Sequence, residues 1–137
     1  MKDLKPRYDT TKKAIGSFTI AVEKLKGADV LPEEEYRTLR DSAIKRFEIS
    51  VDTLWKYLKI YLEVQKGVIH NSPKPVFREC LRTGILSDKN TQVALEMVDA
   101  RNMTSHIYKE EIAEQISNNF PLYATLMEKI ISTTIPQ

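Results

Sequence analysis

The stretch between Pro32 and Gly67 constrains the fold more than any other part of the sequence. It contains no glycine or proline, and its apolar residues recur at alternating spacings of three and four. These apolar residues are Ile44, Phe47, Val51, Leu54, Leu58 and Tyr61. Their spacing is typical of one stripe along an amphipathic helix. At about 1.5 Å per residue, a helix from Glu33 to Lys66 would be roughly 50 Å long and would form the spine of a helical bundle.

The sequence on both sides of this stretch also predicts helices. The first predicted helix ends near Gly27 and carries its own apolar stripe, which consists of Tyr8, Thr11, Ile15, Phe18, Val22 and Leu25. After Gly67, a loop with two prolines precedes a short predicted helix from about Val76 to Arg82. Asp88 is the predicted N-cap of the helix that follows.

The C-terminal part of the chain predicts two more helical segments. The first carries Ile112, Ile116 and Phe120 and is expected to break near Pro121. The second carries Leu122, Leu126, Ile130 and Ile131. The chain has only four glycines in 137 residues, and no alternating strand pattern stands out. We therefore expect an all-α, up-and-down bundle of about five helices, folded as a single domain over residues 1–137.

Charge and cysteine content exclude several classes of protein. Lysine and arginine number 21 against 19 acidic residues, so the formal net charge is +2. This balance excludes a polybasic domain that binds nucleic acid by bulk charge, although it allows a small local basic site. The lone cysteine, Cys80, excludes an internal disulfide, and the longest uncharged run has thirteen residues. Because a membrane span needs about 20 apolar residues, we expect a soluble, cytoplasmic protein without a membrane segment.

Metal and cofactor sites are not predicted. The chain has two histidines, His70 and His106, and a single cysteine, and no short ligand spacing joins them. The four glycines are isolated, so no phosphate-binding glycine loop is present, and no two aspartates lie two residues apart. The paired carboxylates that would hold magnesium in a nucleotidyltransferase are therefore missing from this chain.

The segment from Arg101 to Tyr108 contains the residue types that handle phosphate groups. Arginine offers a planar set of donors to phosphate oxygens, and histidine is the side chain best suited to move a proton near neutral pH. Arg101 and His106 are five residues apart, which on a continuous helix separates them by about 140°. They would converge if the helix breaks, for which Thr104 and Ser105 are candidate caps, or if a second chain supplies one of them.

Simpler roles remain open for these and nearby residues. Arg101 could pair with a carboxylate, and His106 could cap a helix. Asn102 could bind a phosphate oxygen, orient the histidine or serve as a helix-end amide. On the long helix, three charged residues share one face at spacings of four, namely Glu48, Asp52 and Lys56. A solvated face of ion pairs is favoured for them, and lining a cleft or a dimer interface is the alternative.

The ordered set of short motifs resembles the HEPN superfamily, in particular its HepT toxin branch, also labelled nucleotidyltransferase substrate-binding proteins. Residues 101–108, Arg-Asn-Met-Thr-Ser-His-Ile-Tyr, resemble the family's Arg-Asn-x-Thr-Ser-His-x-Tyr segment. Residues 46–48, 54–56 and 61–63 resemble its long second helix, and residues 78–86 resemble its short third helix. The matches follow in order over residues 46–116. Thr91-Gln92-Val93 departs from the family, which often has a tryptophan there, and this difference concerns packing.

The resemblance implies a specific function. HEPN proteins are helical homodimers in which two Arg-x4-6-His motifs face one cleft, and many are metal-independent ribonucleases. Arg101 and His106 would then be catalytic and Asn102 supporting. A minimal nucleotidyltransferase, the MNT partner, would act as antitoxin by transferring AMP to Tyr108. The alternative is a non-catalytic subunit that binds a nucleotide or substrate for a two-component nucleotidyltransferase. The same arginine and histidine serve either function, so the sequence does not choose between them.

Overall fold

The described part of the chain, residues 3–137 of a computed structural model, consists of helices and short connections and contains no strand. Its six helices are α1 (Lys5–Lys26), α2 (Glu33–Lys66), α3 (Pro73–Arg82), α4 (Asp88–Met103), α5 (Glu110–Ser117) and α6 (Phe120–Thr133). Two 3₁₀ turns occupy Ala28–Val30 and Thr104–His106. The predicted all-α bundle is confirmed, with six α-helices rather than about five.

Helix α2 is the spine of the bundle, as its apolar stripe predicts, and it contacts each of the other five helices. Three glutamates occupy its first turn, where negative charge is favourable at the positive end of the helix dipole. The helix ends at Gly67, whose φ of 69° lies in the left-handed region that favours glycine. The predicted 34-residue length is therefore confirmed without an interruption.

The core of the bundle is built around aromatic side chains from three helices. Phe18 of α1, Phe47 of α2 and Phe120 of α6 are fully buried. The ring centroids of Phe47 and Phe120 lie 4.7 Å apart, and those of Phe18 and Phe120 lie 5.2 Å apart in an edge-to-face arrangement. The predicted stripe on α1 faces this core, with Leu25 only partly buried. The core therefore fixes α1 and α6 against α2.

Two predicted boundaries are wrong, one by three residues and one by a single residue. Helix α3 begins at Pro73 rather than near Val76, because prolines are well tolerated in a first helical turn. Ser87, not Asp88, is the N-cap of α4, and its Oγ accepts a hydrogen bond from the Asn90 N–H at 3.1 Å. The break predicted near Pro121 is confirmed: it occurs at residues 118–119, and Pro121 lies in the first turn of α6.

None of the helices in residues 3–137 is long and apolar enough to cross a membrane.

Candidate functional site

The end of α4 carries Arg101 and Asn102, and the segment between α4 and α5 carries His106 and Tyr108. Helix α4 ends at Met103, and Thr104–His106 forms a 3₁₀ turn before an extended stretch leads into α5 at Glu110. Neither Thr104 nor Ser105 caps a new α-helix, because α5 begins only after Lys109. The predicted break in the helix is present, and it leaves His106 and Tyr108 outside the regular helical spacing that starts at Arg101.

Arg101 is held by two carboxylates of α2. Its Nε and Nη2 donate to the two carboxylate oxygens of Asp52, each at 3.0 Å, in a bidentate pair. Its Nη1 donates to Glu48 Oε2 at 3.2 Å. The hydrogen bonds with Asp52 raise the pKa of the Arg101 guanidinium above its ordinary value, while burial opposes this shift. The side chain keeps 23% of its surface exposed. We call these three residues, with Thr104, the Arg101 cluster.

This arrangement answers two questions that the sequence leaves open. Arg101 does pair with a carboxylate, which is one of the simpler roles considered for it. The favoured interpretation of Glu48 and Asp52 as a solvated face of ion pairs along α2 is wrong, because both carboxylates pair with Arg101 of α4. The two helices pack against each other, so the partner of each acid comes from another helix rather than from the next turn.

Thr104 completes the cluster and was missed as a functional residue by sequence reasoning. Its Oγ1 accepts a hydrogen bond from Arg101 Nη1 at 2.8 Å. The same oxygen lies 2.8 Å from Glu48 Oε2 and 2.7 Å from the carbonyl oxygen of Arg101. A hydroxyl has one proton to donate, so only one of these two oxygens accepts it at a time. Thr104 thereby attaches the start of the 3₁₀ turn to α2.

The other predicted site residues lie on the solvent side of the turn. Asn102, His106 and Tyr108 are all exposed, and Tyr108 keeps 79% of its surface accessible. Within residues 3–137, no hydrogen bond joins His106 or Tyr108 to the Arg101 cluster. The structure therefore brings together Arg101, Glu48 and Asp52 and leaves the imidazole and phenol facing outward.

Lys56 also lies outside the cluster, one helical turn beyond Asp52. It is exposed and lines a groove of about 390 Å³ between α1 and α2. The lining residues are Pro6, Arg7, Thr10, Thr11, Asp52, Thr53, Lys56 and Tyr57. Of the charged face predicted on α2, the first two residues thus bind Arg101 and the third faces this groove.

A second arginine network attaches the other end of the segment to α2. Arg40 is buried, with 2% of its surface exposed. Its Nη1 donates to Glu110 Oε2 at 2.6 Å and to Glu114 Oε1 at 3.2 Å, so it holds the start of α5. Tyr36 donates its hydroxyl to Glu114 Oε2 at 2.9 Å. Burial, together with this hydrogen bond, raises the pKa of Tyr36 to about 12.

Sequence reasoning missed this Arg40 network, although a signal exists for it. Arg40 lies four residues before Ile44, on the backward continuation of the apolar stripe of α2. A charged residue at a position that the stripe buries requires a partner, since an unpaired charge is strongly unfavourable in a core. In residues 3–137, no group of three or more His, Cys, Asp or Glu side chains is arranged to hold a metal ion.

Comparison with known proteins places the chain in a family. Residues 6–134 match the family described as nucleotidyltransferase substrate binding protein like. No curated protein matches the chain significantly. A solved protein from Thermus thermophilus is 36% identical, with a TM-score of 0.72, and the match covers 87% of this chain and 99% of that one.

Two further solved structures share the fold at lower identity. A Haemophilus influenzae protein, described as revealing the fold of a substrate binding domain of a nucleotidyltransferase, is 24% identical with a TM-score of 0.80, covering 94% of this chain and 99% of that one. A tri-AMPylated HEPN toxin from Shewanella oneidensis, solved in complex with an MNT antitoxin, is 19% identical with a TM-score of 0.73, covering 97% of each chain. The resemblance stated from the motifs is thereby confirmed: the chain belongs to the nucleotidyltransferase substrate binding protein-like family, which has the HEPN-type fold.

Proposed function

We propose that this protein is a HepT-like toxin, a metal-independent endoribonuclease that a nucleotidyltransferase partner silences by transferring AMP to Tyr108. The observation that carries the proposal is the exposure of His106 and Tyr108 on a turn attached to α2 at both ends. A proton-transferring imidazole and an acceptor phenol must both be reachable by large substrates, and this segment meets that requirement. The toxin–antitoxin fold relative supports the same function, and the family match fits both this function and that of a substrate-binding subunit.

Cleavage proceeds by attack of a ribose 2′-oxygen on the adjacent phosphorus. His106 accepts the 2′-hydroxyl proton, the bond from phosphorus to the 5′-oxygen breaks, and a protonated histidine returns a proton to that leaving oxygen. The products are a 2′,3′-cyclic phosphate and a 5′-hydroxyl. The nucleophile belongs to the substrate, so this route needs no activated water and no metal. DNA lacks the 2′-hydroxyl and is not cleaved.

Arg101 supplies positive charge to this reaction from a fixed position. A guanidinium has five N–H donors, and Asp52, Glu48 and Thr104 take four of them in the Arg101 cluster. The remaining Nη2 proton is free to donate to a phosphate oxygen. A proton on Nη1 also becomes available for donation when its hydrogen bond to Glu48 breaks. The bidentate pair with Asp52 fixes the plane of the guanidinium, which favours stabilisation of charge that develops in the transition state.

A homodimer would supply the second half of the acid–base pair. One histidine would act as base and its copy in the second chain as acid across a shared cleft. Asn102 would hydrogen-bond a phosphate oxygen at the entrance to that cleft. An obligate helical interface of this kind buries on the order of 2,000 Å² or more, so light scattering at tens of micromolar should give the mass of two chains. A monomer at that concentration would count against the shared cleft.

Tyr108 is the best acceptor for AMP among the tyrosines of the chain. All six tyrosines lie in the described residues, and Tyr108 is the only one that is exposed. Tyr8, Tyr57 and Tyr123 are buried. A phenol is a poor base at neutral pH, so we assign Tyr108 to regulation rather than to catalysis. Its adenylylation would place a bulky, negatively charged group beside His106 and compete with RNA.

The decisive experiment separates catalysis from silencing. Purified wild type, His106→Ala and Tyr108→Phe are incubated with a defined RNA and with the DNA of the same sequence. We expect cleavage of RNA only, a loss of at least about 10²-fold for His106→Ala, and nearly full activity for Tyr108→Phe. RNA cleavage by His106→Ala at the wild-type rate would overturn the mechanism.

The same variants test silencing after co-expression with the cognate nucleotidyltransferase. Mass spectrometry should find AMP on the wild type and none on Tyr108→Phe, which should stay active. Tyr61→Phe is the matched control, because it removes a half-buried phenol and should still be modified and silenced. AMP found on Tyr61 or Tyr123 would overturn the assignment of Tyr108.

A second candidate function is a nucleotide-binding subunit for a nucleotidyltransferase. It is favoured by the occupation of Arg101 by Asp52 and Glu48, because two carboxylates oppose the charge that a phosphate transition state requires. In that case the isolated protein cleaves no RNA and binds ATP or a mononucleotide. Arg101→Ala should then weaken nucleotide binding by about 1.5–3 kcal/mol, the range for a hydrogen bond to a charged group.

A further inference from the structure

The groove between α1 and α2 is lined by positively charged residues that have no role in the proposed function. Its two walls each contribute one exposed cation, Arg7 from α1 and Lys56 from α2. No ion pair joins either cation to a carboxylate within residues 3–137. Thr10 and Thr53 line the same groove, and the Thr53 hydroxyl donates to the Ile49 carbonyl oxygen at 2.6 Å. We call this feature the α1–α2 groove.

The single acid in the α1–α2 groove does not neutralise these cations. Asp52 is the only carboxylate among the lining residues, and both of its oxygens accept hydrogen bonds from Arg101. Arg101 of α4 shares its one positive charge between Asp52 and Glu48, so it offsets these two negative charges only in part. Arg7, Lys56 and Arg101 carry three positive charges against the two carboxylates of Asp52 and Glu48, so the groove and the Arg101 cluster together keep one net positive charge.

Asp52 also connects the α1–α2 groove to the Arg101 cluster. Asp52 lines the groove, and both of its carboxylate oxygens accept hydrogen bonds from Arg101. Lys56 follows one helical turn later on α2, about 6 Å along the axis. A polymer whose scissile phosphate lies near Arg101 can therefore continue along α2 into the groove without crossing the bundle.

We propose that the α1–α2 groove binds the phosphate backbone of single-stranded RNA next to the cleavage site. Arg7 donates its planar guanidinium to phosphate oxygens from one wall, and Lys56 contributes a point charge from the other. The Thr10 hydroxyl supplies an additional donor. The groove positions the strand without reading its sequence, because its charged donors are suited to phosphates rather than to base edges. The identity of the ligand rests on the ribonuclease function proposed above.

Binding can be measured without cleavage. The probe is a fluorescently labelled single-stranded RNA with 2′-O-methyl groups on every ribose, which removes the attacking hydroxyl, and anisotropy is recorded over a series of salt concentrations. The double variant Arg7→Gln/Lys56→Gln should bind at least tenfold more weakly at low salt. Its plot of log affinity against log salt should be shallower by about 1.4, since each phosphate contact on a single strand contributes about 0.7.

The matched control removes the same charge from α1 outside the groove. Lys12→Gln/Lys13→Gln takes away two exposed lysines that do not line the groove, and its affinity should stay within about twofold of wild type. Each single variant, Arg7→Gln and Lys56→Gln, should reduce the salt slope by about half as much as the double variant. Circular dichroism confirms that every variant is folded before binding is compared.

The outcomes separate this inference from the proposed function. If the control weakens binding as much as the double variant, or if the double variant binds like wild type, the groove assignment is overturned, whatever the cleavage assay shows. If wild type binds no 2′-O-methyl RNA at low salt, the groove assignment is also overturned. If the double variant alone binds weakly but unmodified RNA is never cleaved, the groove assignment stands and the ribonuclease function fails.

Discussion

Two arginine networks hold the same segment against α2, and they differ in exposure and direction. The Arg40 side chain is 3% exposed and reaches from α2 to carboxylates of α5, whereas the Arg101 side chain is 23% exposed and reaches from α4 to carboxylates of α2. Arg40 therefore carries a buried charge, which would strongly destabilise the fold without its carboxylate partners. Arg101 keeps contact with solvent and with any ligand that approaches the turn. The difference separates an arginine enclosed by the bundle from one that a ligand can reach, as the function proposed above requires.

The two networks attach the exposed segment to α2 at both of its ends. Arg40 and Glu48 lie eight residues apart on α2, about 12 Å along its axis. Thr104 is attached near Glu48 and Glu110 near Arg40, so the chain between them spans from one attachment to the other. Within residues 3–137, the side chains of His106 and Tyr108 make no hydrogen bond or ion pair, and the attachments to α2 come from the neighbouring residues Thr104 and Glu110. Such positioning leaves both side chains free to meet a substrate or a partner enzyme.

The largest expected effect concerns Arg101 and activity. Arg101→Ala should lower RNA cleavage by about 10²- to 10³-fold, the usual loss when one donor that stabilises a transition state is removed. Its free energy of unfolding should change by less than about 1 kcal/mol, because partly exposed ion pairs contribute little to stability. Cleavage of a defined RNA and urea denaturation measure the two quantities. If Arg101→Ala strongly lowers the free energy of unfolding but its folded fraction cleaves RNA at the wild-type rate, the roles assigned to the two arginines would be reversed.

Arg40 should show the opposite pattern. Arg40→Ala removes hydrogen bonds to Glu110, Glu114 and Asp41 and leaves a space in the bundle, so the free energy of unfolding should fall by about 3 kcal/mol. Cleavage per folded molecule should change much less than in Arg101→Ala. The matched control is Arg37→Ala, which removes a 45% exposed side chain from the same helix and should lower stability by at most about 1 kcal/mol. If Arg40→Ala and Arg37→Ala lower the free energy of unfolding by the same amount, burial of the Arg40 side chain does not account for its contribution to stability.

A smaller effect is expected from the charge of the Arg101 cluster. Asp52→Asn removes one of the two negative charges that oppose Arg101, so RNA should bind more tightly by roughly fivefold at low salt, which corresponds to about 1 kcal/mol. The gain should disappear as salt is added. Glu34→Gln makes the same change of charge in the first turn of α2 and should leave binding nearly unchanged. Weaker binding by Asp52→Asn would mean that the carboxylate positions Arg101 more than it opposes the phosphate.

The sequence predicts the spine of this fold well because its period is unambiguous. The stripe from Ile44 to Tyr61 is buried as expected or packs against the core, and Gly67 ends the helix as a left-handed residue. The boundaries near Val76, Asp88 and Pro121 are less certain from sequence because proline and small polar residues are compatible with several positions in a first turn.

The candidate site is less predictable because helical periodicity identifies a face and not the residue that packs on it. Glu48 and Asp52 lie on one face of α2, yet only the packing of α4 against α2 shows that their partner is Arg101. The 3₁₀ turn at Thr104–His106 likewise depends on Thr104 bonding to Glu48 across two helices. Arg40, in contrast, was open to prediction from its position on the apolar stripe.

The smallest expected effect is a pH dependence of the Arg40 network. The hydrogen bond from Arg40 holds the pKa of Glu110 below its ordinary value of 4.5, with burial opposing the shift. A carboxyl whose pKa is lower in the folded state than in the unfolded state stabilises the fold above the unfolded value. That contribution is lost as the pH falls from about 4.5 through the folded pKa, since the protonated carboxyl no longer pairs with Arg40.

Thermal melts between pH 7 and pH 3 test this contribution. Glu110→Gln should melt below wild type at pH 7, and the difference should shrink as the pH falls below about 4.5, because the wild-type carboxyl is then neutral as well. Glu111→Gln removes the neighbouring exposed acid, which is not in the Arg40 network, and should follow the wild-type curve. If the Glu110→Gln difference persists unchanged at pH 3, its origin is packing rather than charge. The Arg40 network would then stabilise α5 by the shape of its contacts, and the distinction from the Arg101 cluster would rest on burial alone.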